Sequence, residues 1–171
     1  MEESDEIHNT VALIKDWLNY LSGRYFSIEF QPQASVDNIS EFPKDFKIFL
    51  KEVGLLYIGS VPERGSGYQV LIMDLPEPYH ETELGYGYPQ TKPDEEVAPN
   101  MLAKDIWVFA RDVDFMLYGY LIRGGNYSFF CENEYGYGSF TEFLIEHINL
   151  HLGHLSGTGA LSFQDFVKTK A

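Results

Sequence analysis

Residues 42–60, FPKDFKIFLKEVGLLYIGS, limit most strongly how this chain can fold. Pro43 favours the first turn of a helix, because its missing N–H lies where no intrahelical bond would form. The apolar side chains that follow recur on one helical face: Phe46, Phe49, Leu50 and Val53. Asp45 and the intervening lysines are expected on the solvent side. Gly54 should end the helix, and the apolar run 55–58 predicts a strand that is covered on both faces.

Size and composition predict one globular domain, since the chain has 171 residues, of which 44% are hydrophobic and 22% are charged. Asp and Glu total 26 against 12 Lys and Arg, which gives a net charge of −14. This balance argues against a nucleic-acid partner, because phosphate binding needs a basic face, and it favours a basic protein partner. Solubility alone is an alternative reason for such acidity.

Cysteine content and the first residues bear on the compartment. Cys131 is the only cysteine, so we expect no disulfide framework and no thiol metal site. We also expect no cofactor. The chain starts with the acidic run MEESDE, unlike a signal peptide, and no apolar run approaches the ~20 residues of a membrane span. We therefore expect a cytoplasmic protein without a membrane partner.

Hydrophobic patterns along the chain predict an α+β fold. Helices are expected at 7–21, ending at Gly23, and at 140–152, where Ser139 and Glu142 form a capping box. Further strands are predicted at 25–30, 68–73, 106–110, 115–122 and 127–132. The predicted architecture is a five- to six-stranded, mostly antiparallel sheet with helices packed against it. The domain should span 1–155, and 156–171 should form a tail with one short helix.

Residues 74–104 contain five prolines and predict a long irregular connection. Acids outnumber bases between 77 and 96, and Tyr79, Tyr86 and Tyr88 are interspersed with them. Such a composition is typical of a loop that binds a basic protein, because tyrosine adds contact area at low entropic cost. A solvated loop without a partner explains it equally well.

Three groups of side chains could support chemistry. One is Cys131 with a histidine as a nucleophile pair, although a lone cysteine on an apolar strand is usually buried and inert. His147, His151 and His154 recur on one side of a predicted helix, and three imidazoles can hold zinc. Histidine near a helix C-terminus is also favoured by the dipole alone. Asp112 and Asp114 could act as an acid–base pair, although aspartate is common in turns. The sequence contains no nucleophile elbow, phosphate loop or dinucleotide fingerprint, so we expect no enzymatic activity.

The order of motifs resembles the SUKH superfamily, which includes bacterial immunity proteins of polymorphic toxin systems and a fungal regulator of cell-wall synthesis. The matching segments, in chain order, are FPKDFKIFLKEVG, IWVFARD, FMLYGYLI, NYSFFCENE and SFTEFLIEHI. Glu41-Phe42-Pro43 departs from the family's leucine-proline start, and the connection 74–104 is longer. The resemblance implies a SUKH-like α+β fold and a protein that neutralises a cognate toxin by binding.

The expected function is therefore that of a non-catalytic immunity protein whose partner is a basic toxin domain such as a nuclease. The residues predicted to bind it combine acids and tyrosines near strand ends and on the long connection: Tyr86, Tyr88, Glu95, Glu96, Asp112, Asp114, Glu132, Glu134, Tyr135 and Tyr137. Two alternatives stay open at this stage. One is a metal- or ligand-binding protein that uses the three histidines, and the other is an intracellular scaffold.

Overall fold

The computed structural model describes the chain in nine segments: 2–31, 42–60, 69–81, 92–98, 101–112, 117–123, 126–131, 134–153 and 159–171. The helices are α1 (Glu2–Leu21), α2 (Lys44–Glu52), α3 (Phe140–Gly153) and α4 (Phe163–Lys168). The strands are β1 (Phe26–Gln31), β2 (Leu55–Ser60), β3 (Gln69–Pro78), β4 (Glu96–Ala98), β5 (Met101–Leu102), β6 (Ile106–Arg111), β7 (Leu117–Arg123), β8 (Asn126–Cys131) and β9 (Glu134–Tyr137).

Seven of these strands form one antiparallel sheet in the order β1-β2-β3-β6-β7-β8-β9. The predicted α+β class is confirmed, with seven strands in place of five or six. The additional strand is β9, whose sequence EYGY is short and contains Gly136 at φ 146°. Because glycine weakens strand propensity, this segment gave no recognisable strand pattern.

Residues 42–60 fold as a helix followed at once by an inner strand. Pro43 lies one position before α2 and its carbonyl accepts the N–H of Lys47. Gly54 follows the end of α2 and lies in the left-handed region, at φ 102°. Leu55 and Leu56 are both buried, although neighbouring strand residues point to opposite faces.

The prediction for Asp45 was wrong, because this side chain is buried and faces the start of α3. Its Oδ2 accepts the backbone N–H of Thr141 at 2.8 Å, while the Oγ of Ser139 accepts the N–H of Glu142 at 3.2 Å. The predicted cap at Ser139 is thus present. In addition to this hydroxyl, a carboxylate supplied by another helix satisfies a further unpaired N–H of the same helix end.

The helices cover one face of the sheet with a core of aromatic rings. Phe46 from α2 packs on Phe140 from α3 at 4.3 Å between ring centroids and on Phe109 from β6 at 5.1 Å. Phe129 from β8 lies 5.3 Å from the ring of Tyr120 on β7. All five residues are fully buried, so this helix-covered face contains the main core.

The opposite face carries a smaller apolar cluster, which we call the second-face cluster: Ile106, Val108, Leu117, Leu121 and Phe130. Two short 3₁₀ turns in the long connection, Tyr79–Glu81 and Ala103–Asp105, pack near β3, β6 and β7. Tyr79 contacts the cluster and Ala103 is fully buried. Part of the connection predicted as a partner-binding loop therefore covers the sheet.

The connection is also more regular than predicted. β3 extends beyond Met73 to Pro78, and its pairing register with β6 shifts between Met73 and Glu77. Such an irregularity accommodates prolines, which cannot donate to the ladder. β4 and β5 then form a small antiparallel pair that the sequence did not reveal.

Candidate functional site

The sheet register gathers several predicted site residues at one end, which we call the Asp112 edge. β6 ends there at Arg111, which pairs with Leu117 at the start of β7. Cys131 at the end of β8 pairs with Glu134 at the start of β9. Asp112 and the backbone of Glu134 therefore lie at the same end of the sheet, with β7 and β8 between their strands. Asp114 and Glu132 lie outside the described residues, in the connections that follow β6 and β8.

Asp112 is held in place by the buried side chain of Tyr118. The Tyr118 hydroxyl donates to Oδ2 of Asp112 at 2.9 Å, across the β6–β7 connection. The Tyr118 ring also packs against His147 of α3, with 4.8 Å between ring centroids. One oxygen of Asp112 thus has a fixed neutral donor, and the side chain is half-buried.

His147 is a buried histidine beneath this edge. Its Nε2 lies 3.2 Å from the carbonyl oxygen of Val70, which requires the protonated nitrogen to donate to β3. Burial, with a smaller contribution from His151, lowers the pKa of His147 from 6.5 to about 4. The Val70 hydrogen bond and the carboxylate of Asp112 oppose this change. His147 is consequently neutral at physiological pH and links α3 to the sheet.

Of the three histidines predicted to bind a metal, two are described, and they do not form a metal site with other described residues. His147 and His151 have ring centroids 4.7 Å apart, as their four-residue spacing predicts. Within the described segments, no group of three or more His, Cys, Asp or Glu side chains is arranged to hold a metal ion. His154 lies outside those segments, so a role for it stays a prediction.

Glu95 and Glu96 lie at the small β4–β5 sheet. We call this sheet and the residues that flank it the 92–105 hairpin. Glu95 closes a turn, because its backbone N–H donates to the Lys92 carbonyl and its carboxylate accepts the Lys92 N–H at 3.2 Å. The carbonyl of Glu95 also accepts the N–H of Ala103. Asp94, Glu95 and Glu96 are all exposed. The hairpin thus presents three consecutive carboxylates on an ordered turn.

The predicted site residues fall into two separate groups. Asp112 follows the last residue of β6, whereas the long connection joins the sheet near Pro78 and Ile106, where β3 ends and β6 begins. At about 3.3 Å per residue, the six residues of β6 separate these ends by about 20 Å. From the sequence, both groups had been predicted to belong to one binding surface.

The remaining predicted residues differ in their surroundings. Tyr137 is half-buried and packs edge-on against Phe143, with 5.9 Å between ring centroids, so part of its ring belongs to the core. Tyr135 pairs through its backbone with Phe130. Tyr86 and Tyr88 lie outside the described residues.

A groove of about 450 Å³ on the second face of the sheet was not predicted. Register aligns Glu29, Tyr57, Ile72 and Arg111 across four strands, and these residues line it with Ser27, Ile58 and Gly59. Asp74 follows Ile72 on β3, and burial raises its pKa although the guanidinium of Arg111 acts in the opposite direction. The groove combines both charge signs, and only strand register could have revealed it.

Comparisons with protein-family models, with curated proteins and with solved structures find no match to this chain. Among the described helices, none combines the length and apolar character that crossing a membrane would require.

Proposed function

We propose that this protein is a non-catalytic immunity protein, which binds and neutralises a protein toxin whose contact surface is basic. The observation that carries the proposal is the excess of exposed carboxylates over exposed amines and guanidinium groups on the described surface. The exposed acids are Glu2, Glu3, Asp5, Glu6, Asp16, Glu29, Glu52, Glu77, Asp94, Glu95, Glu96, Glu142, Glu146 and Asp165. The exposed bases are Lys15, Arg24, Lys44, Lys51, Lys92, Lys104, Lys168 and Lys170.

Charge of one sign favours rapid capture of an oppositely charged partner. Complementary potentials accelerate diffusional encounter and disfavour partners of like charge. A toxin that acts on nucleic acid must itself carry a basic surface to hold phosphates, which an acidic inhibitor can cover. Blocking of that surface requires no bond to be broken by the inhibitor.

Two of the three described groups with shifted pKa values have roles within the fold, whereas the third, Asp74, is half-buried on β3. Asp45 accepts a backbone N–H at the start of α3, and His147 donates to the backbone of β3. Both are buried and serve contacts between elements of the fold. A general acid or base would have to reach a substrate, as neither of these side chains does.

Co-expression tests the function directly. A toxin gene would be sought beside the gene for this chain and expressed in a host whose growth it arrests. We expect this chain to restore growth and to form a complex with the purified toxin domain. Normal complex formation without growth rescue, or rescue without any complex, would contradict neutralisation by binding.

Charge reversal tests whether the 92–105 hairpin contributes to association beyond its share of the net charge. We expect Glu95→Lys with Glu96→Lys, on the 92–105 hairpin, to slow association with the toxin about tenfold at low salt, with less effect at high salt. The matched control is Glu2→Lys with Glu3→Lys on α1, which changes the net charge equally. Equal slowing by both pairs would show that net charge alone governs association.

A further inference from the structure

A cleft between α3 and α4 includes none of the residues predicted to bind the toxin. It has a volume of about 460 Å³ and is lined by Thr141, Glu142, Ile145, Glu146, Phe163, Gln164 and Val167. Ile145, Phe163 and Val167 form its apolar part, and each is half-buried. The cleft therefore leaves apolar surface from two helices in contact with solvent.

Contacts between α4 and α1 hold the cleft open. Phe166 is buried and stacks on Tyr20 of α1, with 5.3 Å between ring centroids, and Phe163 packs edge-on against Trp17 at the same distance. Before the helix, the backbone of Leu161 is bonded to both α1 rings, through Trp17 Nε1 and the Tyr20 hydroxyl. α4 is thus fixed to α1 and cannot close onto α3 without losing these contacts.

Asn149 fixes the end of the cleft where α4 begins. Its Oδ1 accepts the N–H of Phe163 at 3.0 Å, and its Nδ2 donates to Oε1 of Gln164 at 3.0 Å. Ser162 caps α4 by accepting the N–H of Asp165. The apolar surface is therefore presented in a preformed arrangement, which lowers the entropic cost of binding.

The rim of the cleft is acidic. Glu142 and Glu146 are both exposed and lie one turn apart on α3, and within the described residues neither carboxylate forms an ion pair. Leu150 continues the same line one turn later and is 63% exposed. The surface thus combines two negative charges with the apolar side chains that line the cleft.

We propose that the α3–α4 cleft docks a basic amphipathic helix of a partner protein. Apolar side chains at helical spacing would fill the space between Ile145, Phe163 and Val167, and flanking lysines or arginines would meet Glu142 and Glu146. Such a segment matches the cleft in both charge and apolar character. The inference goes beyond the proposed function, because it applies whether or not the partner is a toxin.

A synthetic peptide tests the cleft without any natural partner. The probe is a fluorescent peptide of about 18 residues, long enough to form a helix, with leucines on one helical face and lysines elsewhere. A second peptide of identical composition has its leucines scattered around the helix. We expect saturable binding of the first by fluorescence anisotropy and at least tenfold weaker binding of the second. Equal binding of both peptides would overturn the proposal.

Variants of the protein locate the binding. The double variant Glu142→Gln with Glu146→Gln should lower the affinity for the amphipathic peptide about tenfold, and Val167→Ser should lower it about fivefold. Thermal unfolding is used to confirm that each variant folds. The matched control, Glu2→Gln with Glu3→Gln, removes the same charge from α1 and should change affinity less than twofold. Equal effects of the two glutamine pairs would show non-specific attraction and overturn the proposal.

A second copy of this chain is the alternative occupant. Sedimentation velocity of the wild type and of Val167→Ser distinguishes it, because a dimer formed through the cleft would dissociate in the variant. We expect no such change. Loss of a dimer in Val167→Ser, without peptide binding by the wild type, would assign the cleft to self-association. Neither result depends on toxin neutralisation, so failure of one proposal is distinguishable from failure of the other.

Discussion

Phe129 and Phe130 are adjacent on β8, yet they belong to opposite faces of the sheet with different construction. Phe129 is fully buried among rings from α3, β6 and β7 on the helix-covered face. Phe130 is 6% exposed and joins the second-face cluster, near which two short 3₁₀ turns of the described chain pack. The comparison shows that one face is covered by helices, which local hydrophobic patterns in the sequence predict. The other face is covered in part by the long connection, whose sequence has no regular hydrophobic pattern.

The largest expected effect is on the helix-covered face. Phe129→Ala should lower the free energy of unfolding by about 4 kcal/mol, because the rigid surrounding rings cannot fill the cavity. Phe130→Ala should cost about 2 kcal/mol, because the short turns over it can relax inwards. Urea unfolding of both variants measures the difference. Equal losses would show that the second face is packed as rigidly as the first.

Acid should weaken the helix-covered face through His147. The folded pKa of about 4 lies below the ordinary value of 6.5, so the unfolded chain binds a proton first as pH falls. Stability contributed by the neutral imidazole is complete above pH 6.5 and is lost between pH 6.5 and 4, by about 3 kcal/mol in total. His147→Gln should remove this part of the pH dependence. An unchanged unfolding profile in the variant would contradict the assignment.

Gly119 offers a test of the second face at the β6–β7 pairing. A Cβ placed there would lie 2.3 Å from the carbonyl oxygen of Trp107 and 3.1 Å from Cζ of Phe130. We expect Gly119→Ala to destabilise by about 2 kcal/mol, since the first contact involves backbone that must shift. Gly138→Ala is the control, because a Cβ there meets nothing within 4 Å. Thermal unfolding of the two variants provides the measurement.

The smallest effect concerns the link between α2 and α3. Asp45→Ala should cost about 1 kcal/mol at neutral pH, because the N–H of Thr141 loses its acceptor. Asp45→Asn keeps an acceptor oxygen and should be close to wild type. Burial raises the pKa of Asp45, so the folded state favours the protonated carboxyl more than the unfolded chain does. The stability that this protonated form contributes is present at low pH and is lost as pH rises through the pKa of the folded state. Asp45→Asn should lack this dependence, which unfolding between pH 3 and pH 7 would reveal.

The helix-covered face could largely be predicted from the sequence. The stripe in residues 42–60, the stop at Gly54 and the cap at Ser139 are local signals, and each is present in the structure. The meander β6-β7-β8 also follows from aromatic strands and a two-residue connection between Arg123 and Asn126. These features depend on residues a few positions apart, which a single sequence displays.

The second face and the candidate site could not be predicted in the same way. The long connection contains β4, β5 and two 3₁₀ turns that stabilise each other by packing, without propensity or period of their own. Asp45 was assigned to the solvent side because its helical position is polar, and only the approach of α3 buries it. Likewise, Glu95 and Asp112 are both acidic, but they lie in different parts of the molecule.

By itself, the sequence determined the α+β class, the helix and strand starts that carry capping or glycine signals, and the negative charge of the surface. The tertiary structure alone decided which carboxylates share an edge, that His147 is neutral and bonded to Val70, and that α3 and α4 enclose an acid-rimmed cleft. The physical reason is distance along the chain. Local patterns fix backbone conformation, whereas burial and the sharing of a surface depend on contacts between segments that no local pattern encodes.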